Sequence, residues 1–214
     1  MTDYDEENTS CRRCGTCCEK GGPALHGEDR RLVADGVLAL RDLVAIRIGE
    51  PALDQAVGGV APAGREFLKL RGGAGSWCCL FYDREQRGCG IYRHRPLECR
   101  LLSCRNTTPL EQVMWRDLLQ RRDLLEPDDP VLQLLNGQDR EIVYAEVQEL
   151  LGRLNDPRAA VAAHTRLAEL SRRDLALRQV FLRHFPQREA EELFLFGRPL
   201  FLVLSPYGLR LRPA

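Results

Sequence analysis

Nine cysteines, at positions 11, 14, 17, 18, 78, 79, 89, 99 and 104, are the side chains of this sequence best equipped for chemistry, and none follows Cys104 in a chain of 214 residues. Thiols used only as small apolar packing groups would be scattered along the chain. A disulfide framework belongs to oxidising compartments, and the sequence opens Met-Thr-Asp-Tyr-Asp-Glu-Glu, acidic where a secretory signal would be basic and then apolar. Chelation of a soft metal by thiolates is the chemistry that this clustering predicts, in a soluble protein expected to be cytoplasmic.

The spacing says how the thiolates are to be used. Cys11-x-x-Cys14-Gly15-x-Cys17-Cys18 contains a two-residue knuckle, a loop short enough to aim two thiolates at one ion, with Gly15 free to take a positive φ. Adjacent side chains are expected to diverge, so Cys17 and Cys18 are assigned to two neighbouring centres or to one multinuclear centre. The second cluster, Cys78-Cys79, Cys89, Cys99 and Cys104, supplies the thiolates needed to complete two four-cysteine sites. Eight ligands suffice for that, and nine is one too many. The two clusters are therefore expected to build joint sites, with the 59 residues between Cys18 and Cys78 forming a loop closed by metal.

These residues resemble a known family. Cys11-Arg-Arg-Cys14-Gly-Thr-Cys17-Cys18, Cys79-Leu-Phe-Tyr-Asp83 and Cys89-Gly-Ile-Tyr-Arg-His-Arg-Pro-Leu-Glu-Cys99-Arg-Leu-Leu-Ser-Cys104 look like the YkgJ-like cysteine-cluster family. Its CxxCxxCC domain is described as zinc- or iron-chelating and is also found in the flagellin lysine methylase. The resemblance covers roughly residues 11 to 105 and implies a metal-binding module. It implies eight metal ligands: Cys11, Cys14, Cys17, Cys18, Cys79, Cys89, Cys99 and Cys104, leaving Cys78 supernumerary. Ser103 stands where many members carry proline.

Thiolate-rich sites accumulate negative charge and call for cations beside them. Arg12 and Arg13 flank the first knuckle; Arg93, Arg95, Arg100 and Arg105 surround Cys99 and Cys104. Arg95 and Arg100 lie within the family phrase and are the expected cofactor-side residues, donating to sulfur from a second layer. Among the histidines only His94 sits within a cysteine cluster, and with eight cysteines present neither it nor His26 is needed as a ligand. No catalytic triad, paired-carboxylate phrase or phosphate loop stands out.

The elements that must position these thiols follow from patterning. Residues 1–10 read as a disordered tail, 11–105 as the cysteine-cluster domain, and 106–214 as a helical region sharing its core. The expected class is α+β: a small irregular metal-binding domain with short strands, packed against a C-terminal helical region ending in a short hairpin. A short helix is expected from Glu28 to Gly36, a strand at Phe67–Leu70, a turn at Gly72–Gly75, a further strand through Trp77–Asp83, and a tight turn at Gly88–Gly90. Helices are expected from Thr108, over about 139–154, and after the Asn155-Asp156-Pro157 cap, with Leu200–Leu204 and Leu209–Leu211 as strand and return strand. Trp115, Phe194 and Phe196 are assigned to the core.

The balance of 31 basic and 31 acidic residues argues against nucleic acid as a partner, and no apolar run is long enough to span a bilayer. A protein partner would dock through the helical region. The leading functional expectation is an iron–sulfur protein serving electron transfer or a redox-linked modification. The alternative is a scaffold held by two zinc ions, and a weaker one, resting on the methylase resemblance alone, is methyl transfer to a protein lysine, for which no adenosyl-methionine loop is evident.

Overall fold

Glycine and short apolar runs dominate the first half of the sequence and favour turns over long elements, whereas apolar residues at helical spacing dominate the second. The computed structural model describes residues 14–54, 58–73 and 75–209, so the expected tail, Cys11, Arg12, Arg13 and the return strand beyond Leu209 lie outside the described residues. The first half contains α1 (Thr16–Glu19), α2 (Arg30–Ala34), β1 (Leu43–Ile46), β2 (Pro51–Asp54), β3 (Gly59–Pro62), β4 (Phe67–Leu70), β5 (Tyr82–Asp83), β6 (Gly88–Cys89) and α3 (Leu97–Leu101). The second contains α4 (Thr108–Val113), α5 (Val131–Glu141), α6 (Tyr144–Arg153), α7 (Ala160–His184), α8 (Glu192–Phe196) and α9 (Leu200–Leu204). The class is mixed helix and strand, with short strand pairs and C-terminal helices.

The chain forms two compact units, one of residues up to Leu43 with Phe67–Leu124, the other of Val44–Glu66 with the residues from Leu125 onward. In the first, backbone groups are satisfied by irregular crossings. Leu25 N–H donates to Leu68 O (2.9 Å), Leu68 N–H to Leu119 O (2.8 Å) and Leu119 N–H to Leu25 O (2.8 Å). Those three leucines are buried together with Leu32, Leu38, Phe67 and Leu70. This is a small core, the kind that metal ligation commonly supplements. At the expected glycine turn, Gly73 N–H donates to Cys78 O (2.9 Å), and Gly72 bridges antiparallel to Cys79.

In the second unit β2 and β3 form an antiparallel hairpin with Leu53 opposite Val60. Ile142, Tyr144, Val147 and Leu150 pack with Ala163, Leu167 and Leu170 of α7 and with Leu200, Val203 and Leu204 of α9. A buried charge network completes it. Asp174, fully buried on α7, accepts from Gln138 Nε2 (2.9 Å), Arg178 Nε (3.0 Å) and Leu200 N–H (2.9 Å). Arg47, also buried, donates to Tyr144 Oη (2.7 Å), and buried Glu50 accepts from Arg198 Nε (2.6 Å).

Several expectations are corrected. Leu200–Leu204 is a helix rather than a strand: Leu200, Val203 and Leu204 sit at i, i+3 and i+4 against α7, and the Asp174 carboxylate accepts the first N–H. The expected helix 139–154 is two helices, α5 and α6, broken where Ile142 leaves helical geometry with φ −115° and ψ 78° and turns into the core. Of the residues assigned to a Gly88–Gly90 turn, Gly88 and Cys89 form β6, and the turn joining it to β5 lies earlier, with Arg87 at φ 48°. The long Trp77–Asp83 strand shrinks to a bridge at Cys79 plus β5. Trp115 is half-buried, edge-on to Phe67 at 5.6 Å, while Phe194 and Phe196 are in the core.

Candidate metal centre

Gly15 takes φ 82° and turns the chain into α1, whose single turn carries Cys17 and Cys18. A Cβ at Gly15 would collide with the hydroxyl and ring of Tyr82, so glycine lets the start of α1 approach β5. Tyr82 in turn pairs across the ladder with Cys89 of β6. Cys79 N–H donates to Cys18 O (2.7 Å), tying the two clusters together through the backbone. The sulfurs of Cys17 and Cys18 lie 3.9 Å apart rather than diverging. Successive side chains on a helical turn are about 100° apart, not the 180° of a strand, which allows this approach.

Cys99 sits on α3, and three side chains hold that helix in place. Asp29, 1% exposed, accepts from Leu97 N–H (2.9 Å) at the helix start and from His26 N–H (3.0 Å). Glu98 accepts from Ala24 N–H (2.8 Å) and faces His26 Nε2 at 3.4 Å, while His26 Nδ1 lies 2.8 Å from Arg116 O. Burial works against charging His26, but Glu98, the Arg116 carbonyl and Asp29 outweigh it and raise its pKa. His26 is thus engaged in a protein network. His94 is exposed in the turn before α3.

The thiols differ in environment. Cys17, Cys18, Cys89 and Cys99 are partly buried, Cys78 and Cys79 are buried, and Cys14 and Cys104 are exposed. Burial, with the charge of Cys17 next, pushes the Cys18 thiol up to about 12, and Cys79 and Cys89 add to it. Cys99 is pushed up by burial and by Cys79, Cys17, Cys18 and Cys89, and Cys79 by burial and then by Cys89 and Cys78. Burial and neighbouring thiols thus work against ionising Cys18, Cys79 and Cys99 in the absence of a cation. Cys14 is shifted the other way, chiefly by the Thr16 hydroxyl 3.5 Å away and the Thr16 N–H, with a smaller contribution from Cys104.

These soft donors come to one region, but among the described residues no three His, Cys, Asp or Glu side chains are gathered closely enough to hold an ion. The family model for "CxxCxxCC: Putative zinc- or iron-chelating domain" matches residues 10–117, half of the chain. The chain belongs to the CxxCxxCC family. No curated protein and no solved structure matches it. A CxxCxxCC domain of this description supports metal binding.

The arginines expected to serve the cysteines have protein partners. Arg95 lies over the Tyr92 ring, 3.9 Å from its centroid, and Arg100 donates to Arg95 O (3.1 Å) and pairs with Glu28. Asp29 and Glu98 are positioning groups beyond those that the cysteine pattern predicts. The His26-x-x-Asp29 spacing, an N-cap with an acid three residues on, was the available signal. Among the described residues no helix is long and apolar enough to cross a membrane.

Proposed function

We propose that the protein is an iron–sulfur protein serving electron transfer or a redox-linked modification step. The observation that supports this best is that the two cysteine clusters meet: Cys79 N–H donates to Cys18 O (2.7 Å), and the Cys17 and Cys18 sulfurs lie 3.9 Å apart. Cys11, Cys14, Cys17, Cys18, Cys79, Cys89, Cys99 and Cys104 are the proposed ligands, with Cys78 outside the set. Bound there, such a cluster would supply one-electron chemistry. The chain's own residues surrender thiol protons, exclude water around Cys79 and Cys99, and hold α3 through Asp29 and Glu98. Anaerobic purification is expected to give a coloured protein with bound iron and acid-labile sulfide, whereas a colourless protein with stoichiometric zinc overturns the proposal.

A zinc-held scaffold is favoured by one distance. The 3.9 Å between Cys17 and Cys18 sulfurs is close to the edge, about 3.8 Å, of a tetrahedron with Zn–S near 2.3 Å. In that reading the ion replaces part of a small core, and the helical unit docks a protein partner. Removing zinc with a chelator should then lower the melting temperature; an unchanged melt excludes it.

A further inference from the structure

His26 is the one buried histidine among the described residues, and the proposed function makes no use of its proton. Its ring lies where three segments of the first unit cross. Nδ1 is 2.8 Å from Arg116 O and Nε2 is 3.4 Å from Glu98 Oε1 on α3, while the backbone of His26 bridges to Leu118. A carbonyl and a carboxylate only accept hydrogen bonds. A neutral imidazole has a single N–H and can serve one of them; the imidazolium, with two, serves both. The charged residues on the elements around the ring are Glu98 and Arg100 of α3, Glu28 and Asp29 of its own turn, Arg116 and Asp117 of the crossing segment, and Lys69 of β4, which bridges to Ala24. Asp117 lies against Gly27, and Glu28 is paired with Arg100. The two charged side chains that reach His26 itself, Glu98 and Asp29, are both carboxylates.

We propose that His26 is a proton-operated latch on α3: as imidazolium it ties the Arg116 carbonyl to Glu98, and loss of one ring proton as pH rises releases Glu98 and loosens the helix. The remaining proton stays at Nδ1, whose bond to the Arg116 carbonyl is the shorter of the two, and the lone pair left at Nε2 then faces the Glu98 carboxylate with no hydrogen between them. The released proton goes to water, and nothing is oxidised or reduced. Neither His26 nor Glu98 is a proposed metal ligand, so the latch goes beyond the metal reading and does not depend on it. Burial disfavours the imidazolium, but Glu98, the Arg116 carbonyl and Asp29 outweigh it, so the folded ring holds its proton more tightly than a free histidine. The stabilisation is therefore complete below the ordinary value of 6.5 and is lost as pH rises through the higher value of the fold.

The experiment uses the full chain as purified, labelled with nitrogen-15 and observed through long-range proton–nitrogen spectra of the imidazoles. Single Gln variants of the exposed His94, His164 and His184 assign those rings and leave His26 by elimination. At about pH 6 both ring nitrogens of His26 should carry protons, and with rising pH Nε2 should lose its proton while Nδ1 keeps one. Hydrogen exchange of the Leu97–Leu102 amides, corrected for the intrinsic effect of pH, should quicken at least about threefold between about pH 6 and about pH 9. Glu98→Gln keeps an oxygen for Ala24 N–H and offers an N–H to neutral Nε2, so the ring should titrate at lower pH and the exchange step should move with it. A single proton on the His26 ring at about pH 6 in the unmodified chain, or an exchange step in Glu98→Gln identical to that of the unmodified chain, overturns the latch. Both readouts are expected with or without bound metal, so a chain that binds no metal yet shows the step refutes the metal reading and supports the latch.

Discussion

Asp29 offers the sharpest test of how the fold holds the thiols, because one buried carboxylate serves the backbone N–H of nearby His26 and that of Leu97, 68 residues further along the chain. Asp29→Ala removes the acceptor of His26 N–H, a buried bond, and of Leu97 N–H, a part-buried one. A buried donor left without a partner costs about 1–3 kcal/mol, and the part-buried one less, because water can reach it. The sum is about 3–4 kcal/mol, felt at the start of the helix that carries Cys99. If about 1.4 kcal/mol of this must be restored when metal draws Cys99 into place, the metal association constant falls about tenfold. Urea denaturation followed by circular dichroism reads the first quantity, and competition against a chromophoric chelator the second. Asp29→Asn keeps one acceptor oxygen and should lose roughly half as much stability. A loss below about 1 kcal/mol in Asp29→Ala, with unchanged metal affinity, would refute the clamp.

Gly15→Ala should weaken metal binding and lower the melting temperature. A residue other than glycine at φ 82° costs about 1 kcal/mol, and the new methyl displaces Tyr82; Tyr82→Ala in the same chain should restore part of the loss, and no effect of Gly15→Ala on either reading contradicts the close approach. Asp174→Ala should destabilise the C-terminal unit by about 3–5 kcal/mol, since it strips a counter-charge from buried Arg178 and Arg47 and an acceptor from Leu200 N–H; a change under 1 kcal/mol in thermal or urea unfolding would show that the network is not needed. Metal affinity should rise with pH, because thiols such as Cys18 are protonated in the metal-free fold and must release protons to bind; a pH-independent competition titration would contradict this. The same raised pKa means that the metal-free fold keeps a proton that the unfolded chain sheds. Its stability should therefore fall as pH rises from the ordinary thiol value of 9.0 towards about 12, as checked by denaturation in that window.

Much of this protein is legible in its residues taken in order. The cysteine spacing, the turn-forming glycines and the Y-x-x-R-P phrase are local features, and they led to the metal-chelating family without coordinates. The helical second half was legible too, because Ala163, Leu167, Leu170 and Phe181 keep the spacing of one helix face. The same spacing places Asp174 and Arg178 on that buried face, and a charge there is interpretable only once its partners are known. Gln138, Arg47 and the N-terminus of α9 reach it from positions far apart in the chain. Leu200–Leu204 is a helix for the same reason: a five-residue apolar run has no period long enough to separate strand from helix, and the deciding contact is a carboxylate 26 residues earlier. The thiols divide likewise. Their identity as ligand candidates is a matter of type and spacing. Which of them face solvent, that Cys17 and Cys18 lean together, and that Asp29 anchors the Cys99 helix depend on chain crossings that tertiary packing alone decides.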